Sequence, residues 1–157
     1  MRRKDREVTD RNEMIDILSR CDTVRLAIND TPVPYIIPMS FGMEDDGTVL
    51  KLWFHSATEG RKLDLIRQNP NVSFEADTDQ ELFYEEEKMN CSTVYSSVIG
   101  QGVITFVEGE EKLHGLTCLM AHYHMDPMPI NTAVIPRTEV YCLTVTAMTA
   151  KQRKKPR

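Results

Sequence analysis

The sequence predicts a mainly β protein, a closed or partly closed antiparallel β-barrel of six or seven strands with accessory helices. Three observations carry that expectation. Short runs of alternating apolar and polar residues recur along most of the chain, helical spacing appears only three times, and the helices do not alternate regularly with the strands. A closed or partly closed barrel follows, because it leaves few unprotected edges.

The first element is a helix over residues 10–21, where Asp10 and Glu13 have capping-box spacing and Met14, Ile15, Leu18 and Cys21 form an apolar stripe. Residues 23–28 alternate as a strand and end in the turn pair Asn29-Asp30. The next strand, 33–41, places Tyr35, Ile37, Met39 and Phe41 on one face. Its Pro34 and Pro38 donate no ladder hydrogen bond, so it is an edge or bulged strand, open either to a ligand or simply blunted against aggregation. A turn at 44–47 leads into a strand over 49–54, completing a three-stranded meander. A polar turn, 55–60, follows.

The second helix opens with Arg61 and Lys62 and carries Leu63 and Ile66 on its apolar face. Two cations at the positive end of a helix are unfavourable unless an anion sits there. A phosphate on the free N–H groups near Ser56 and Ala57 satisfies them, and Glu59 offers a local counter-ion instead. After Asn69-Pro70 comes a strand with Val72, Phe74 and Ala76, then an acidic stretch, 77–87, expected to be a solvated loop. Residues 91–107 read as one bent strand or two, with Gly100 and Gly102 at a bend or bulge. A third helix over 108–124 sets Leu113, Leu116, Met120 and Tyr123 at core spacing. An irregular connection, 125–136, precedes a final strand over 139–147.

The 157 residues suit one domain, expected over 1–150, with a basic tail over 151–157 that reads as a frayed terminus. A net charge of -5 disfavours nucleic-acid binding, and no apolar run is long enough to span a bilayer. No secretory signal precedes the first helix, so a cytoplasmic location is expected. Cys21, Cys91, Cys118 and Cys142 form no Cys-x-x-Cys pair and are expected to be buried free thiols.

His114, Cys118 and His122 recur every four residues, and His124 is close by. Over two helical turns at most two of the three reach one ion, so packing outweighs metal binding and no metal is expected. No Gly-x-Ser-x-Gly nucleophile motif or dinucleotide fingerprint is present.

The runs PYIIPMSFG (34–42), LWFHSATEGRKLDLIRQNPNVSFEAD (52–77), YSSVIGQGVITFVE (95–108) and MAHY (120–123) resemble the pyridoxamine 5'-phosphate oxidase-like flavoproteins, above all the nitroimidazole-resistance (Nim) proteins. The resemblance implies a split barrel that binds FMN at a homodimer interface and acts as an oxidoreductase on a small molecule. It implies that Tyr35, Ile36, Ile37, Pro38, Met39 and Ser40 run along the flavin ring. Phe54, His55, Ser56 and Ala57 would lie beside the ribityl chain and phosphate, which Arg61 and Lys62 would grip. Ser97 faces the flavin on this reading, and His122 approaches from the second subunit. His55 is the candidate catalytic residue, since imidazole titrates near neutral pH. A haem-binding or haem-degrading barrel, or a flavin module without turnover, is the alternative. The chain lacks the arginine-rich C-terminal segment of true pyridoxamine 5'-phosphate oxidases, which argues against vitamin B6 oxidation.

Overall fold

The computed structural model describes residues 3–155. Eight strands form one antiparallel sheet: β1 (Glu7–Val8), β2 (Val24–Ile28), β3 (Tyr35–Met39), β4 (Gly42–Asp45), β5 (Leu50–Ala57), β6 (Asn71–Glu85), β7 (Asn90–Phe106) and β8 (Thr138–Arg153). Their order is β3-β2-β6-β7-β8-β5-β4, with β1 paired to β8. β3 and β4 end the sheet on opposite sides, yet only Ser40 and Phe41 separate them in the chain. Three peptide steps span at most about 11 Å, so the sheet must curl until its two edges approach. That curl makes the barrel, and the absent β3–β4 ladder is its split.

Leu26, Ile28, Phe54, Phe74, Tyr141 and Leu143 fill the barrel and are fully buried. Each such side chain contributes roughly 1.5–3 kcal/mol by leaving water. α1 (Arg11–Ser19) starts at Asp10, whose carboxylate accepts from the Glu13 amide at 2.9 Å, and buries Ile17 and Leu18. α2 (Arg61–Gln68) covers the barrel with Leu63 and Ile66. α3 (Glu110–His122) packs on β4, β5 and β8.

Several expectations are corrected by the long-range pairing. The three-stranded meander does not form, because β3 pairs only with β2 while β4, expected as part of a turn, pairs with β5. His55, Ser56 and Ala57 belong to β5, opposite Val140, Glu139 and Thr138, so the turn is shorter than its polarity suggests. The acidic stretch is no loop: Glu81 to Glu85 pair with Val94 to Asn90 beyond a bulge after Thr78, where Asp79 has a φ of 64°. Cross-strand partners on β7 override the low strand propensity of the carboxylates.

β8 runs on to Arg153, so the basic tail is strand through that residue; Pro156 and Arg157 lie outside the described residues. β7 is one strand whose register with β8 shifts between Gln101 and Gly102. On α3, Leu113 is exposed and Lys112, Gly115 and Leu119 are buried instead. The helix is seated by glycine: a Cβ on Gly115 would lie 2.6 Å from the Trp53 ring. Cys91 is exposed, against the expectation of buried thiols, while burial pushes the Cys21 thiol up to about 12 and Cys142 up to about 11.

Candidate functional site

The start of α2 lies against β3 on one side and the end of β5 on the other. Its N-cap is Gly60, at φ 140° and ψ 158°, which supplies no side chain to the helix start. A positive φ of this size favours glycine, and a Cβ there would meet open space. Gly60's carbonyl accepts from the Leu63 and Asp64 amides at 2.9 and 3.2 Å, leaving the amides of Arg61 and Lys62 outside the helical ladder.

The two cations then diverge. Arg61 is exposed, bonds Asp30 at 2.5 Å and lies over the Tyr35 ring at 5.1 Å. Its counter-ion is therefore Asp30, from the turn after β2, rather than Glu59. Lys62 is half-buried, its Nζ is 3.5 Å from the Met39 sulfur, and burial lowers its pKa. Among the described residues no carboxylate lies within 4.0 Å of it. His55, near the end of β5, has an exposed side chain, and its pKa is lowered from the ordinary value first by desolvation from the protein around it and then by the Lys62 charge.

Tyr35, Met39, His55, Arg61 and Lys62 are thus brought together by three elements that are separate in sequence. Ile36 and Pro38 alternate with them on β3 and point outward, Ile36 being 65% exposed. Ser40 is exposed in the link to β4, Ile37 packs partly into the core, and Phe54 is fully buried beside Tyr141. Ser56 is partly buried, and its hydroxyl donates to the Ala57 carbonyl at 2.9 Å. Among the described residues the buried Tyr141 hydroxyl has no hydrogen-bond partner.

Two expected residues stand apart within one chain. Ser97 is on β7 opposite Asp77, three strands from β3. His122 packs on Phe41 with ring centroids 4.2 Å apart, and its Nε2 lies 2.8 Å from the Cys21 carbonyl. The adjacent Tyr123 hydroxyl donates to the Asp22 carbonyl and accepts from the Phe41 amide, tying α3 to the β3–β4 link. Asp30 escaped sequence reasoning because its turn chemistry concealed a role as counter-ion. A groove of about 390 Å³ lies elsewhere, on the outer sheet face between Pro34, Ala27, Ser73, Gln101 and Thr146. It holds none of the α2 cluster.

A family model described as pyridoxamine 5'-phosphate oxidase matches residues 10–152. The chain belongs to that family. Within it, the α2 cluster sits on the stretch that the resemblance had singled out. A solved structure of a candidate 5-nitroimidazole antibiotic resistance protein from Bacteroides thetaiotaomicron is 29% identical, with a TM-score of 0.80 over 92% of this chain and 85% of its own. An FAD and heme binding protein from Mycobacterium smegmatis superposes at 0.81 with 15% identity, covering 96% of this chain and 74% of its own. The flavocytochrome Anf3 from Azotobacter vinelandii gives 0.77 with 19% identity, over 99% of this chain and 73% of its own. At such identities the last two establish the shared fold. No curated protein matches the sequence. Among the described residues, no helix of this family member is long and apolar enough to cross a membrane.

Proposed function

We propose that this protein binds a flavin, FMN, at the start of α2 and uses it as an oxidoreductase of the nitroreductase type in the cytoplasm. One observation carries the reading: Lys62 is a half-buried cation with no acid within 4.0 Å, at a helix start without a side-chain cap, beside an exposed strand edge. A phosphate group fits those donors in charge and number, since the Arg61 and Lys62 amides are free of the helical ladder. The described relatives, one named for FAD and heme and one as a flavocytochrome, support a flavin on this barrel.

Lys62 holds the phosphate as a point charge, and Arg61 closes over it from the Asp30 side while stacking on Tyr35. The outward backbone edge of β3, from Tyr35 to Met39 and on to Ser40, offers groups to a polar ring, with Pro38 contributing a carbonyl only. A bound flavin supplies the two-electron redox chemistry, which the protein itself lacks. His55, exposed at the rim and with its pKa lowered by desolvation and the Lys62 charge, positions an acceptor and relays a proton to it from solvent. Ser97 and His122 reach such a site from a second copy, which makes the working unit a homodimer. The outer sheet face, with Ile36 65% and Ile99 57% exposed, is the surface that a second copy covers.

The absorption spectrum of purified protein tests the cofactor: flavin bands support the reading, and a Soret band overturns it. Titration of the apoprotein with FMN tests the site. Lys62→Gln should weaken binding by about 10- to 100-fold, the value of a charge-assisted hydrogen bond of roughly 1.5–3 kcal/mol. Arg61→Gln should cost less, because that guanidinium must first share Asp30. Equal affinity in Lys62→Gln and wild type would remove Lys62 from the site.

A further inference from the structure

The middle of α3 carries a second constellation, against β4. His114 and Cys118, four residues apart on the helix, meet Glu44 of β4. The His114 Nε2 is 3.2 Å from Glu44 Oε2 and 3.6 Å from Cys118 Sγ, and the three donor atoms all lie within 4.8 Å of one another. We propose that Glu44, His114 and Cys118 form a binding site for a zinc-class divalent cation that clamps α3 onto β4.

The donor chemistry and the spacing agree. Carboxylate, imidazole and thiolate are the three side-chain ligand types that zinc takes. Zinc–nitrogen and zinc–oxygen bonds of about 2.0–2.2 Å and a zinc–sulfur bond of about 2.3 Å place tetrahedral ligand atoms roughly 3.3–3.6 Å apart. The two His114 separations lie beside those values, and the Glu44 and Cys118 donors, within 4.8 Å of each other, close on an ion by side-chain adjustment. Water fills the fourth position, since His114 is 51% exposed at its side chain.

The backbone brings the donors together for a definite reason. A Cβ on Gly42 would lie 2.4 Å from the Leu119 amide nitrogen and 2.5 Å from the Cys118 carbonyl carbon, so only glycine lets α3 approach β4 at that point. Gly115 does the same against Trp53. Glu44 is two residues from Gly42, on the strand thus approached. The outer shell is also in place: the Trp53 indole donates to Glu44 Oε2 at 2.9 Å, fixing the carboxylate, and its ring stands edge-on to His114 at 5.3 Å. Cys142 packs beside Trp53 and Cys118 in the small apolar cluster beneath and keeps the thiol side dry. His122, on the same helix, is turned to Cys21 and takes no part.

On loading, the Cys118 thiol gives its proton to solvent and the thiolate binds the ion. Because the ion joins a helix to a strand of the folded chain, it stabilises the native state by mass action. Chelator-treated full-length protein is titrated with zinc ion alone, then with cobalt(II) as a spectroscopic probe. One zinc per chain should bind, the melting temperature should rise with zinc concentration, and the cobalt difference spectrum should show a thiolate charge-transfer band. Trp53, the single tryptophan, should be quenched by cobalt. Cys118→Ser should abolish the charge-transfer band, and His114→Ala and Glu44→Gln should each weaken zinc binding by roughly 100-fold or more, beyond the effect of an outer-shell change. Metal-free melting of each variant shows whether it is folded; Glu44→Gln keeps an acceptor for the Trp53 indole. Zinc binding as in wild type by any one folded variant overturns the three-residue site, as does the absence of zinc binding in the wild type.

Discussion

His55 shows how one side chain takes its chemistry from neighbours on other elements. Desolvation and the Lys62 charge both favour its neutral form, so its pKa in the folded protein lies below the ordinary 6.5. The unfolded chain therefore binds that proton first as pH falls. The stabilisation is complete above pH 6.5 and is lost as pH drops through the folded value. His55→Asn should flatten the pH dependence of the melting temperature below 6.5, and an unchanged slope would show that another group controls it. If His55 also relays a proton, reoxidation of the reduced protein by a nitro acceptor should slow by about 10²- to 10⁴-fold in His55→Ala at equal FMN content. Stopped-flow absorbance measures this. Tyr141 makes a different case. Its hydroxyl is buried without a partner and burial pushes its pKa up to about 12, so removing the oxygen removes a desolvation cost. Tyr141→Phe should leave stability unchanged or raise it by about 1 kcal/mol in denaturant unfolding; a loss of that size would reveal a bond to Ser56 or to water.

At the scale of elements, glycine decides where α3 sits. Leucine spacing alone points Leu113 inward, yet the helix rests on Lys112, Gly115 and Leu119 because Gly42 and Gly115 permit backbone contact. The buried Lys112 is tolerated since its Nζ donates to the Thr138 carbonyl at 3.3 Å and faces Glu108 and Glu139 at 3.3 and 3.8 Å. Gly42→Ala inserts a methyl where backbone atoms lie 2.4–2.8 Å away. Overpacking of that kind costs about 1–3 kcal/mol. The variant should unfold at lower denaturant, and the emission of Trp53 should shift to the red as α3 lifts. A wild-type midpoint would mean that β4 can yield without cost. α2 depends less on its cap than on Leu63 and Ile66, which anchor it while its first turn stays open.

At the scale of the whole molecule, large apolar side chains are exposed in two regions. Ile36 and Ile99 lie on the outer sheet face, and the β6–β7 hairpin projects Leu82 at 72%, Tyr84 at 59% and Met89 at 83% exposure. The proposed homodimer would cover part of this surface. Sedimentation at micromolar concentration should show a dimer. Ile99→Glu should shift it toward monomer and lower FMN affinity at the same time, because dimer and cofactor stabilise each other. A monomer that retains its flavin would refute the shared site.

The barrel class, the three helices and the pair of cations that opens α2 were legible from local pattern, because alternation, capping and the clash of two cations with a helix dipole act within a few residues, whereas Tyr35, Met39 and His55 were singled out only by the family resemblance. Asp10 caps α1, and Leu63 and Ile66 face the core, as their spacing requires. Local pattern could not assign partners. Whether 77–85 is loop or strand, whether β4 exists, and whether β3 joins a meander depend on hydrogen bonds to β7, β5 and β2, whose residues lie outside the few positions that a local pattern covers. The same holds for charge: Arg61 and Lys62 are adjacent and alike in sequence, but the turn at Asp30 neutralises one and the sulfur of Met39 faces the other. Which cation remains available to an anion is a property of the packed chain, since Coulomb pairing follows distance in space and burial rather than position in sequence.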